Sequence, residues 1–219
     1  MRFFASFHYA QNDRKAKVSM STTKKPKIIG LTGPIASGKN EVAKILRSRG
    51  AYIIDADKIG HSLLKSKAIK KRLVKTFGKR ILDSKGKVAR KKLGDIVFND
   101  PKLLKKLNKI IHPVMKKEII RESCKPSAVS RKLIVINAAV LKEMGLISFV
   151  DEVWVVLAPK KKRLKWLMKK GVSRQRAFAR IRSQMSDREY LKIADRIIRN
   201  NVTARKLKEK VNALIKSYL

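Results

Sequence analysis

The chain has 219 residues, 44% of them hydrophobic, and carries 56 Lys and Arg against 16 Asp and Glu, a formal charge of +40. That apolar content excludes a wholly unfolded basic chain, because disorder couples high charge to few apolar residues. No uncharged apolar run reaches the roughly 18 residues of a membrane helix; the best candidate, Leu133–Leu157, is interrupted by Lys142, Glu143, Asp151 and Glu152.

Residues 1–26 lack sustained periodicity and are expected to form a disordered extension. Their apolar start, Phe3-Phe4-Ala5-Ser6-Phe7, is too short for a signal-peptide core. Met20 is an alternative start, and a mitochondrial-type presequence is a second reading of the same basic stretch. Order is expected from Lys27 onward. Ile28–Thr32 reads as a buried strand, and Glu41–Arg49 as a helix with Val42, Ile45 and Leu46 on one face. Gly50 closes that helix and Ala51–Ile54 reads as a second strand. Strand, glycine loop, helix and strand in this order make a βαβ unit with parallel strands.

The stretch 58–125 reads as mostly helical. Asp100 and Pro101 are a helix cap and first-turn residue, and Leu103, Leu104, Leu107, Ile110, Ile111 and Val114 form an apolar stripe behind them. Pro113 within the stripe predicts a kink or break near His112. Leu133–Ile136 and Val153–Leu157 are apolar without alternation, as in strands covered on both faces. Helices are expected over Lys160–Lys170 and Arg174–Met185, and Ser186 to Glu189 spell a capping box that opens another. Arg196–Ile198 reads as a last strand, and Leu207, Val211, Leu214 and Tyr218 stripe a terminal helix. The alternation predicts a three-layer α/β domain on a parallel sheet over 27–219.

Chemistry concentrates at Gly33-Pro34-Ile35-Ala36-Ser37-Gly38-Lys39, a GxxxxGK sequence between the first strand and the first helix. Glycines there let successive backbone N–H groups turn inward around an anionic oxygen; the helix N-terminus adds its dipole and the lysine reaches the outer phosphates. The motif asks for Ser or Thr after the lysine, where a hydroxyl binds Mg²⁺, and this chain has Asn40, whose carboxamide oxygen is an uncharged donor. Asp55 and Asp57 follow the second strand, at the carboxyl end of the expected sheet where ligands bind. Either could accept a proton from an attacking hydroxyl, or cap the next helix.

Ile29–Lys39 followed by Ile54-Asp55-Ala56-Asp57 resembles the dephospho-CoA kinase family. Leu107–Val114 resembles its LNxxxHPxV segment, Ala139–Glu143 stands at its PLLFE, and Val150–Trp154 at its VDEVW. Arg180–Gln184 resembles RIxxQ, and Ala194–Asn200 resembles ADxxIxN. The resemblance runs from Lys27 to about the C-terminus. It implies a P-loop NTPase-type kinase with a helical substrate-binding region at about 58–125 and a helical lid at about 160–190. The implied reaction moves the γ-phosphoryl of ATP, with Mg²⁺, to the ribose 3′-hydroxyl of dephospho-CoA. Gly33, Ile35, Ala36, Ser37, Gly38, Lys39, Asn40 and Glu41 would then hold ATP, with Asn40 as the substituted metal position and Lys39 also catalytic. Arg180 would close over phosphates and Asn200 would lie near adenine. Asp57 would be the base, and Asp55, Asp57 and His112 would meet the substrate.

Pro34, Ala139, Lys142, Lys169 and Lys170 depart from the family pattern. Trp154 reads as core packing, Trp166 as a ring that covers apolar surface or meets a lysine. The single cysteine, Cys124, excludes an intramolecular disulfide and a CxxC metal site, and His8, His61 and His112 are too scattered for a zinc cluster. Both features suit a reducing cytoplasm. A soluble monomer or weak oligomer is expected. The positive charge suits polyphosphate metabolites, an anionic membrane or nucleic acid, or reflects a lysine-rich proteome. Two alternatives stand beside the leading one: another P-loop nucleoside or nucleotide kinase, and a catalytically weak P-loop protein with a basic surface for nucleic acid. Aromatics at 6%, with no basic stretch interleaved by stacking rings, weigh against the last.

Overall fold

The computed structural model describes residues 25–218; the expected extension lies almost wholly outside them. Five parallel strands form one sheet in the order β2-β3-β1-β4-β5. They are β1 (Lys27–Thr32), β2 (Tyr52–Asp55), β3 (Leu133–Asn137), β4 (Glu152–Leu157) and β5 (Arg196–Arg199). The apolar runs lack alternation because helices cover both faces of the sheet. In β3, Leu133 and Val135 face one core while Ile134 and Ile136 face the other.

One face is packed by α1 (Lys39–Ser48) and α10 (Ala204–Ile215) through Val42, Leu46, Leu207 and Val211. The other is covered by α2 (Ala56–Leu63), α3 (Lys67–Phe77), α4 (Arg90–Val97), α5 (Pro101–Ser123) and the short α6 (Pro126–Val129). A third, smaller cluster joins α7 (Lys160–Lys169) and α8 (Arg174–Arg182) to the phosphate-loop residues Ile35 and Ala36. The capping box at Ser186 and Glu189 forms and opens α9 (Asp187–Leu191). Among the described residues no helix is long and apolar enough to cross a membrane.

Two expectations change. Helix α8 ends at Arg182 rather than Met185, since Ser183–Gln184 turns toward the loop. Helix α5 runs unbroken through Pro113. Proline there removes one N–H that would pair with the Lys109 carbonyl. Buried Ile110 and Ile111 before it, and Met115 and Ile119 after it, anchor both halves to the same core. Tertiary burial at four positions outweighs one lost helical hydrogen bond.

The acids of Val150–Trp154 work at the amino end of the sheet. Glu152 accepts from Lys27 Nζ (2.7 Å), Tyr218 Oη (2.6 Å) and Trp154 Nε1 (3.0 Å), which ties β1, β4 and the C-terminal turn together. Partial burial pushes the Glu152 carboxyl up, but these three donors outweigh it and hold it down at about 2. The stabilisation is therefore complete above pH 4.5 and drains away as pH falls from there toward 2. Glu152→Gln is expected to cost about 2 kcal/mol at pH 7 and to flatten the acid limb of the stability curve, as read by urea unfolding between pH 3 and 7.

Candidate functional site

Between β1 and α1 the backbone takes conformations that only particular residues tolerate. Gly33 has φ +139°, and a Cβ there would lie 2.2 Å from the Val156 carbonyl oxygen of β4. Gly38 has φ +99°, and its Cβ would lie 2.1 Å from Asn200 Nδ2. Ala36 at φ 57° is also left-handed, at a cost of roughly 1–2 kcal/mol for a residue with a side chain. The loop is fastened from outside: Asn200 Nδ2 donates to the Ser37 carbonyl (2.9 Å), and the Ile35 N–H donates to Gln184 Oε1 (2.6 Å). The Ser37 hydroxyl is fully buried with no partner. An orphaned hydroxyl in a glycine loop at a helix N-terminus suits an anion.

Lys39 is buried, and its ammonium donates to the Gly33 (2.7 Å) and Pro34 (3.1 Å) carbonyls. Burial lowers its pKa to about 8; the Asp57 carboxylate opposes the shift and the Arg163 guanidinium adds to it. The lysine thus feels one acid and one further cation. Arg163, on α7, is 4% exposed, pairs with Asp187 at 3.1 Å and keeps its Nε without a partner. Sequence reasoning passed over Arg163 as one cation among 56; only its burial distinguishes it.

The two acids at the junction of β2 and α2 part company. Asp55 turns its side chain onto the Lys58 N–H (3.1 Å), caps α2 and is not among the residues that line the cleft holding Asp57. Asp57, in the first turn of α2, is exposed and lines a cleft of about 1250 Å³ that also contains Ile35–Glu41. His112 and Asn200 line the same cleft. Burial favours the neutral His112 ring and pushes it below its ordinary value, while a backbone hydrogen bond to Glu143 opposes the shift. A second hollow of about 540 Å³ continues beyond His112, sharing Phe98, Leu104, Asn108 and Glu143. Arg180 is not on the cleft wall: its guanidinium lies 5.4 Å from the centre of the Phe98 ring. Gly33 likewise serves through its backbone, packed under β4. Trp154 is fully buried, while Trp166 faces the cleft under Lys162, 5.1 Å from its ring centre.

A family model described as dephospho-CoA kinase matches residues 27–206. A dephospho-CoA kinase of Dehalococcoides mccartyi is 41% identical over 196 residues, 88% of this chain and 98% of the relative. The chain belongs to the dephospho-CoA kinase family. A solved dephospho-CoA kinase from Campylobacter jejuni is 29% identical, with a TM-score of 0.63 over 87% of this chain and 96% of that one. A shikimate kinase from Acinetobacter baumannii, 16% identical at a TM-score of 0.52 over 88% and 94% of the two chains, shares the fold alone. The parallel sheet and the loop after β1 are thus those of P-loop kinases.

Against the family's usual metal position this member differs. Asn40 Oδ1 accepts a 2.9 Å hydrogen bond from Asn137 Nδ2, at the end of β3. That oxygen keeps a second lone pair, so the contact positions Asn40 without closing it to a cation. Among the described residues no three His, Cys, Asp or Glu gather into a metal-holding cluster. Mg²⁺ is ordinarily held by one or two carboxylates together with phosphates and water, and the loop's own contribution here is an uncharged amide pair. Asn40, together with the nucleotide's own phosphates, is what the loop would offer Mg²⁺, which would neutralise charge on the transferring phosphoryl group.

Proposed function

We propose that this family member transfers the γ-phosphoryl of ATP to the ribose 3′-hydroxyl of dephospho-CoA, giving coenzyme A and ADP. The observation that carries the reading is the placement of Asp57 on the same cleft as the phosphate loop, near enough to Lys39 for their charges to interact. Phosphoryl transfer asks for positioning and charge neutralisation rather than covalent catalysis. The loop amides and Lys39 hold the nucleotide phosphates. Asp57 takes the proton of the 3′-hydroxyl as that oxygen bonds to the γ-phosphorus and the bond to the β-phosphate oxygen breaks. The hollow beyond His112 gives the cleft length for a second extended ligand. Residues 58–125 supply its floor, and α7 with α8 act as the lid, drawn onto the loop by the Gln184 contact.

Arg180 reaches phosphates in this reading only by leaving Phe98 as the lid closes. The exposed, unpaired Cys124 supports action in a reducing cytoplasm. The test is ADP formation from ATP with and without dephospho-CoA, against shikimate and deoxyadenosine as other acceptors. Turnover that depends on dephospho-CoA is expected, and equal turnover with either alternative acceptor overturns the assignment.

A further inference from the structure

The two tryptophans of the chain are placed differently. Trp154 is fully buried and meets Tyr218 edge to face, with ring centres 5.7 Å apart. Trp166, the largest side chain of α7, is half-buried, lines the cleft and belongs to none of the three apolar clusters of the described residues. Its neighbours Leu164 and Leu167 do the packing: they share the small cluster with Ile35 and Ala36, which keeps α7 against the phosphate loop. Lys162 Nζ stands 5.1 Å from the centre of the Trp166 ring, a cation over part of one aromatic face. The remainder of an indole half exposed in a ligand cleft is apolar π surface, suited to a second ring.

The order of the strands decides which ring that is. The phosphate loop leaves the central strand β1, Asp57 follows β2 at one edge of the sheet, and α7 follows β4 on the other side of β1. The Asn200 N–H donates to the Leu157 carbonyl (2.7 Å), so the turn after β5 leaves the sheet beside the end of β4. Asn200, Val202 and Leu207, from that turn and α10, line the same cleft as Trp166. In-line transfer puts the attacking and leaving oxygens on opposite sides of the phosphorus. With the acceptor hydroxyl at Asp57, the leaving diphosphate and its nucleoside extend toward the β4–β5 side. Phe98 also lines the cleft, but it reaches into the second hollow with His112 and carries Arg180. We propose that Trp166 stacks on the base of the phosphoryl-donor nucleotide and fixes its position from α7. The inference rests on the reading that the loop holds a nucleotide.

The test uses tryptophan fluorescence, calorimetric affinity and steady-state kinetics, all with Mg²⁺, on wild type, Trp166→Phe and Trp166→Ala. Trp154 is sealed in the core, so the emission that separates wild type from Trp166→Phe reports the cleft. ADP is expected to quench that emission. Inorganic tripolyphosphate, which fills the loop without a base, is expected to leave it nearly unchanged. Trp166→Ala is expected to raise the KM for ATP about 5–100-fold, the span for one base–aromatic stack, with kcat within about threefold. Its affinity for tripolyphosphate and its KM for dephospho-CoA are expected to stay as in wild type. Trp166→Phe keeps a ring and is expected to recover most of the loss. Equal quenching by tripolyphosphate, or an equal loss of its affinity in Trp166→Ala, shows an effect on the loop or the fold and overturns the stack. An effect confined to dephospho-CoA assigns the ring to the acceptor and overturns it as well, as does an unchanged KM for ATP in Trp166→Ala. A wild type that binds neither ADP nor tripolyphosphate overturns the nucleotide reading itself.

Discussion

Asp57→Asn is expected to lower kcat by about 10²–10⁴-fold, the span ordinarily contributed by a positioned general base. The substitution keeps the size of the side chain and its place in the first turn of α2, but the amide cannot take a proton. ATP affinity is expected to change little, since the residue belongs to the first turn of α2 and not to the loop that holds the phosphates. A small tightening is even consistent with the loss of a negative charge near the phosphates. Asp55→Asn is the control: asparagine caps helices as well as aspartate, so activity and melting temperature are expected to stay close to wild type. Steady-state kinetics with isothermal nucleotide binding separates the cases. Normal kcat in Asp57→Asn would exclude it as the base, and a large loss in Asp55→Asn would return that residue to the cleft chemistry.

Lys39→Ala carries the second large effect. Its ammonium is the cation most deeply set in the loop, and removing one such electrostatic partner costs about 10²–10³ in rate. Unlike Asp57→Asn, it is expected to weaken nucleotide binding too, because the charge acts on bound and reacting phosphates alike. The depressed pKa adds a pH signature. With the free protein's Lys39 titrating near 8, nucleotide binding must restore the proton above that pH. Affinity is then expected to be level below pH 7.5 and to fall about tenfold per pH unit once well above 8. Lys39→Arg, charged throughout, is expected to bind more weakly at pH 7 because a guanidinium does not reproduce the ammonium's fit, but with a flat profile to pH 9. A wild-type affinity independent of pH from 7 to 9.5 would show that Lys39 is not the titrating group.

The excess of positive charge, by contrast, is mostly a surface property. A net +40 cannot be accommodated by one cleft, and the cations that matter there are few: Lys39 in the loop and Arg163 behind it. Counting charges could not separate Arg163 from its neighbours on α7, whose Lys160, Lys161 and Lys165 are exposed. Burial did so, because an arginine with an unpaired nitrogen in the interior has to be explained by what it faces.

The strands were readable from residue type alone, and each lies within a residue or two of its expectation. Buried parallel strands are continuous apolar runs, and that signal is local. The phosphate loop was equally legible, since Gly33, Gly38 and Lys39 answer requirements of the backbone within seven residues. Assignments that depend on a distant partner were not legible. Whether Asp55 or Asp57 faces the ligand turned on where β2 stops and α2 begins. Whether Pro113 breaks α5 turned on the core that holds both halves of the helix. That Asn40 is held by Asn137, 97 positions away, is a contact no local pattern announces. The sequence by itself determined the family, the sheet and the loop, because each rests on contiguous patterns of burial and backbone conformation. The tertiary structure decided which acid is free and which arginine is buried, because those follow from contacts between segments far apart in the chain.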